Sequence, residues 1–189
     1  VKNIVLRYAM SHRKIAIYAL FFWGLLVLNG CIASPEHRLR EAIVNGDSTQ
    51  AAAALAQGAK VETADEFGMT PLLLAVKHGH RPTVELLLEK GADLSRARHD
   101  GLTPLFMAIR EGRVDMVALL LEKGADVNVR GAISSVTPLH VGAYEGNQEI
   151  VTLLLKYGAD KQARMTSGEL PVDLARQLGR TDLIKLLEP

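Results

Sequence analysis

Cysteine is nearly absent from this chain: Cys31 is the only one among 189 residues. A disulfide within one molecule is therefore excluded, and so is any structural zinc site built on thiolates. Aromatic residues are also few. Five of the nine, Tyr8, Tyr18, Phe21, Phe22 and Trp23, crowd into the first 23 residues. The core of the remainder must be made from Leu, Ala, Val and Ile. Neither sign of charge dominates, with 22 basic residues against 21 acidic. Residues 1–30 carry Lys2, Arg7, Arg13 and Lys14 and no acid, which leaves residues 31–189 mildly acidic. A nucleic-acid backbone is thus not an expected partner. No Gly-x-Ser-x-Gly, Walker loop, dinucleotide fingerprint or His-Glu-x-x-His occurs.

What is present begins with "MSHRKIAIYALFFWGLLVLNGC". Arg13 and Lys14 make a positive head, and Ile15 to Leu28 is an unbroken run of apolar or small residues. The run is too short for a spanning helix, which needs about 20 apolar residues, and suits a secretory signal peptide. The preceding "VKNIVLRYA" reads as an upstream extension, with Met10 an alternative start. Leu28-Asn29-Gly30-Cys31 resembles the bacterial lipoprotein lipobox. That resemblance implies diacylglyceryl transfer to the Cys31 thiol, cleavage before it and acylation of the new amino group. Several acyl chains hold a membrane stably where one does not, at about 0.8 kcal/mol per buried CH₂. Ile32 after the cysteine, where the family's retention signal has Asp, implies sorting to the outer membrane. Two other readings stay open: ordinary cleavage at Cys31-Ile32-Ala33 releasing a soluble periplasmic protein, or retention of residues 15–33 as an inner-membrane anchor.

The rest of the chain repeats itself. Thr-Pro-Leu occurs at residues 70–72, 103–105 and 137–139, and Gly-Ala plus a polar residue at 58–60, 91–93, 124–126 and 158–160. The intervals are 33 or 34 residues, and "VELLLEKGAD", "VALLLEKGAD" and "VTLLLKYGAD" lie between. Period and motif resemble the ankyrin repeat, over about residues 37–187. The resemblance implies an all-α solenoid of helix-turn-helix units with short β-hairpin-like turns. Residues 1–30 would be the signal peptide and 31–36 a lipid-anchored tether. The repeat domain would be 37–189: a cap at 37–64, repeats at 65–97, 98–130 and 131–164, and a closing cap at 165–189.

Local chemistry agrees with that reading. Thr70, Thr103 and Thr137 are placed to cap the first helix of each unit, with Pro71, Pro104 and Pro138 at its first position. Gly79, Gly112 and Gly146 end it; Gly91, Gly124 and Gly158 stop the second helix. Leu170 stands where a capping Thr is expected, and Arg176 where the inner copies carry an apolar residue, as suits a closing unit whose outer face meets water. One extra residue in "RGAISSVT" lengthens the third hairpin, with Ser135 at a glycine position.

The pair His78 and His80 has no cysteine or third histidine nearby in sequence, so no metal and no cofactor is expected. Asp93, Asp126 and Asp160 share a repeat position and are expected to shape turns. His140 is expected to bond across units. The chain is therefore read as a non-enzymatic, monomeric protein-binding module in the bacterial cell envelope, held to a membrane by its lipid anchor with the repeats in the periplasm. In the ankyrin family partners dock on the concave face of hairpin tips and first helices. By that resemblance the binding residues are Phe67, Met69, Lys77, His78, His99, Leu102, Arg110, Ile133, Val136 and Tyr144. Phe67, Met69, Leu102, Ile133, Val136 and Tyr144 would form an exposed apolar line. The rival classes are a self-associating exported protein and a hydrolase using surface histidines with carboxylates.

Overall fold

The computed structural model describes residues 34–132 and 134–188. The expected signal peptide, the lipobox-like residues and Cys31 lie outside the described residues. Among the described residues ten helices follow in pairs: α1 (Pro35–Asn45) and α2 (Ser48–Ala56), α3 (Pro71–His78) and α4 (Arg81–Glu89), α5 (Pro104–Arg110) and α6 (Val114–Glu122), α7 (Pro138–Glu145) and α8 (Gln148–Lys156), α9 (Pro171–Gln177) and α10 (Thr181–Leu187). Pro35 and Glu36, expected in the tether, form the first turn of α1.

The repeated threonines set where the first helices begin. The Thr70 hydroxyl accepts a hydrogen bond from Leu73 N–H at 3.2 Å, and Thr103 accepts one from Phe106 N–H at 3.4 Å. Each supplies an acceptor for a helix-start N–H that has no partner within the helix. Termination is equally local. Gly79 and Gly146 take φ of 75° and 80°, a left-handed conformation costly for residues with a Cβ.

The odd helices form one row and the even helices a second. The first row is packed more closely than the second, so the array curves with the first helices inside. Small residues permit that approach: Ala42, Ala75, Ala108 and Ala175 all lie at 0–2% exposure. The second row supplies the larger apolar groups, with Leu87, Leu120 and Leu154 each fully buried. A buried leucine stabilises by roughly 1.5–3 kcal/mol relative to an exposed one, which makes this continuous Leu-Ala-Val interior the main source of cohesion.

Four hairpin turns project from the inner row. Asp65 N–H donates to Met69 O, Arg98 N–H to Leu102 O and Met165 N–H to Glu169 O, closing five-residue turns. The third turn holds the extra residue and is closed from Gly131 N–H to Val136 O at 2.7 Å. Ser135 there has φ of 51°, the only positive value at a non-glycine position among the described residues. No strand forms among the described residues, so these are turns rather than β-hairpins proper.

One position in the interior does not match its neighbours chemically. Thr83 in α4 is completely buried, and its hydroxyl has no hydrogen-bond partner. Met116 and Ile150 occupy the same repeat position in α6 and α8 and are buried too. An unpartnered buried hydroxyl costs about 1–3 kcal/mol. Thr83→Val keeps the shape and removes the polar atom, and is expected to stabilise the fold by about 1 kcal/mol, raising the urea midpoint at unchanged slope.

Candidate protein-interaction surface

The inner row and the hairpin turns present the face on which the expected binding residues were placed. Phe67, at the tip of the first turn, is 64% exposed, and Tyr144 on α7 is 58% exposed. Lys77, His99 and Arg110 are exposed, and His78 is half-buried. Ile133 lies outside the described residues.

Two of the expected contact residues are not on the surface. Met69 and Leu102 are 8% and 9% exposed and belong to the core. Each directly precedes a capping threonine, and the turn-closing hydrogen bonds fold it back toward the helix. Met69 and Leu74, like Leu102 and Met107, stand at the spacing of a hydrophobic staple, with both members buried. Val136 and Val141 repeat the arrangement half-buried, packed against the core. The exposed apolar line therefore reduces, among the described residues, to Phe67 and Tyr144 with part of Val136.

Around Phe67 the first two turns are joined. His99 N–H donates to Phe67 O at 3.4 Å, and the His99 ring lies against Gly68, where any Cβ would meet it at 2.6 Å. Asp65 orders the first turn by accepting from Phe67 N–H at 3.0 Å, Met69 N–H at 2.9 Å and Arg40 at 2.7 Å. Burial works to raise the Asp65 carboxyl, but those hydrogen bonds outweigh it and hold the group below the usual carboxylate value. In the second turn, the side-chain hydrogen bonds from Arg98 bring Asp100 down to about 2, despite partial burial.

Further along α3, the His78 and His80 rings stack in parallel with centroids 5.8 Å apart. Burial lowers the His78 pKa, as do the charges of His80, Lys77 and Arg113, against the opposing pull of Glu111. His80 Nε2 lies 3.2 Å from Val44 O and its ring covers Gly46. Arg113 repeats this one unit on: its Nε donates to Lys77 O at 3.0 Å, and its guanidinium covers Gly79. Arg180 lies against Gly146 in the same way. These side chains clasp the end of the preceding first helix, where carbonyls lack partners. Sequence reasoning missed the clasps, although they have a signal: His80, Arg113 and Arg180 each follow a helix-ending glycine and face the glycine one repeat earlier, whereas Asn147, at the same position, caps its own helix by accepting from Ile150 N–H and nothing lies against Gly112.

His140 on α7 has a structural post. It is completely buried, its Nδ1 accepts from Thr137 N–H at 3.2 Å, and its Nε2 lies 3.2 Å from Glu169 O in the fourth turn. The Nδ1 acceptor role puts the proton on Nε2, which then donates to Glu169. The aspartates at the shared position shape turns: Asp93, Asp126 and Asp160 each accept from the N–H two residues on, at 2.8–2.9 Å. Among the described residues, no three His, Cys, Asp or Glu side chains are grouped to hold a metal ion. None of the described helices is long and apolar enough to cross a membrane.

A filled interior, polar groups spent on turns and helix ends, and an inner face carrying exposed aromatic and cationic side chains define a helical repeat scaffold that acts through its surface. The family model for ankyrin repeats (three copies) matches residues 39–131, and that for a single ankyrin repeat matches residues 136–165. The chain belongs to the ankyrin-repeat proteins. Its repeats are an all-α, non-catalytic module of the kind that mediates protein–protein interaction. The match starts at Leu39, so the first unit, without its Thr-Pro, still falls within the family pattern. No curated protein gives a match to the chain.

Proposed function

We propose that the repeats present their inner face to a protein of the bacterial cell envelope, and that a lipid on Cys31 holds them at a membrane surface on the periplasmic side. The observation that carries the recognition half is the exposure of Phe67 and Tyr144 on a face whose scaffold needs neither. Both project from the row of turns and first helices that also bears Lys77, His99 and Arg110, and aromatics with arginine dominate interface energetics. The anchoring half rests on the sequence, where a positive head, a short apolar run and Leu-x-Gly-Cys come together at the single cysteine. With helix α1 starting at Pro35, the tether is at most a few residues, so the inner face works close to the membrane.

Cross-linking in intact cells tests the first half, comparing the native chain with a Phe67→Ala, Tyr144→Ala variant. Both side chains are exposed, so the variant is expected to keep native helicity. One envelope protein captured by the native form and lost by the variant is the expected result. Equal capture by both would remove the inner face as the binding surface. Labelling with an acyl analogue that persists in Cys31→Ala would remove the anchor.

A further inference from the structure

The second and third turns leave a notch between them of about 220 Å³, floored by Leu102, Phe106, Val136 and Val141 and flanked by Arg110. It is smaller than the roughly 300–1,000 Å³ typical of small-molecule sites. It has room for one large apolar side chain. Its electrostatics are one-sided. Asp100 on one wall is engaged twice over, by the Arg98 guanidinium and by Leu102 N–H. Glu111, next to Arg110 in sequence, acts on His78 of the preceding repeat. Among the described residues no carboxylate pairs with Arg110. Lys77 holds the same repeat position one unit earlier and is likewise unpaired among the described residues, so two free cations stand in line about 10 Å apart, the spacing of packed helices. Elsewhere, a wider trough of about 610 Å³ between α6 and α8 has both Glu149 and Lys156 among its lining and so favours no particular charge.

We propose that this notch is the anchor point for an acidic segment of the partner protein: one leucine-sized side chain enters between the turns while flanking carboxylates pair with Arg110 and Lys77. The inference rests on the inner face being the recognition surface and names the chemistry recognised there. The lengthened third turn gives the notch its place. There the six-residue third turn adjoins the five-residue second, with half-buried Val136 and Val141 lining the space between them.

The probe is an end-blocked nonapeptide of aspartates and glutamates with a central leucine, titrated into the full chain. Anisotropy gives its affinity, and amide shifts of Gly101, Ala132 and Val141 give its place. The expected result is saturable binding with shifts at those amides. Binding should weaken at least tenfold when the leucine becomes serine, when the acids become lysines, or in an Arg110→Glu variant. Arg110 is exposed, so that variant is expected to fold; Val141→Ser, which changes the floor without touching charge, gives a second reading. Equal binding by the lysine peptide, shifts away from the notch, or no binding at millimolar peptide would overturn the proposal. If the peptide fails while Phe67→Ala, Tyr144→Ala still loses a captured partner, the notch is wrong and the inner face stands. If the peptide seats in the notch and that variant captures as well as the native chain, the notch stands without the wider face.

Discussion

His140→Ala is expected to lower stability by about 3–4 kcal/mol and to remove most of the stability change between pH 7 and 5. Two contributions add. The ring is completely buried, so truncation leaves a cavity. Thr137 N–H loses its acceptor in the interior, at about 1–3 kcal/mol, while half-buried Glu169 O keeps the Met165 N–H and loses only the tie from α7. The pH dependence follows from burial, which pushes the His140 pKa below its ordinary 6.5. The Arg130 charge acts in the same direction, while the Glu169 hydrogen bond and charge oppose both. The unfolded chain takes up a proton near pH 6.5 that the folded chain refuses until lower pH. Stability is therefore full above about 6.5 and falls as pH drops from there toward the folded pKa. His78, also lowered, contributes a smaller slope in the same window. Asp65, Asp93 and Asp100 are depressed instead, so what they contribute is lost only further down, as pH falls through the unfolded carboxylate value and, for Asp100, on toward about 2. Urea unfolding of native and variant at pH 7.5, 6 and 5 separates the two windows. A native chain whose midpoint stays level from 7.5 to 5 would contradict the assignment.

Leu120→Ala is expected to cost about 3–5 kcal/mol and to break the unfolding transition in two. Leu120 lies fully buried in α6, within the middle repeat. A solenoid is held by contacts between neighbouring units alone, so a weak unit at the centre uncouples the halves on either side. Leu187→Ala is a control at the last turn of α10, also buried but with a neighbour on one side only. Its loss is expected to fray the closing cap while the remaining transition stays single. Circular dichroism against urea, with hydrogen exchange to locate the early-opening units, distinguishes the outcomes. A single sharp transition for Leu120→Ala with the native slope would mean that coupling across the centre survives the cavity.

The helix boundaries were readable because each is set by chemistry within four residues. Thr-Pro at the start and glycine at the end place α3, α5 and α7 wherever they occur. Turn aspartates were readable for the same reason. The surface was harder. Met69 and Leu102 look exposed when counted along a turn, yet the turn closes on itself and returns them to the helix. Their pairing with Leu74 and Met107, five residues on, carries the missing signal, since an apolar residue just before a cap with another at the fourth helical position is a staple. The glycine clasps made by His80, Arg113 and Arg180 were hidden by distance, because each spans 34 residues and is visible only when repeats are laid over one another. The third turn was legible in its length and in Ser135, but the notch beside it depends on how two neighbouring turns pack.

The clasps also give the array a sense of direction. His80 closes the end of α1, Arg113 that of α3 and Arg180 that of α7, always reaching backward to the unit made earlier. A growing chain thus carries an unfinished helix end until the following unit arrives to finish it. Three of the four junctions are locked in this direction; at the remaining one nothing lies against Gly112, and the end of α5 has no such clasp. Loss of the last helix pair strips the Arg180 lock from what remains, whereas loss of the first pair leaves the Arg113 and Arg180 locks in place.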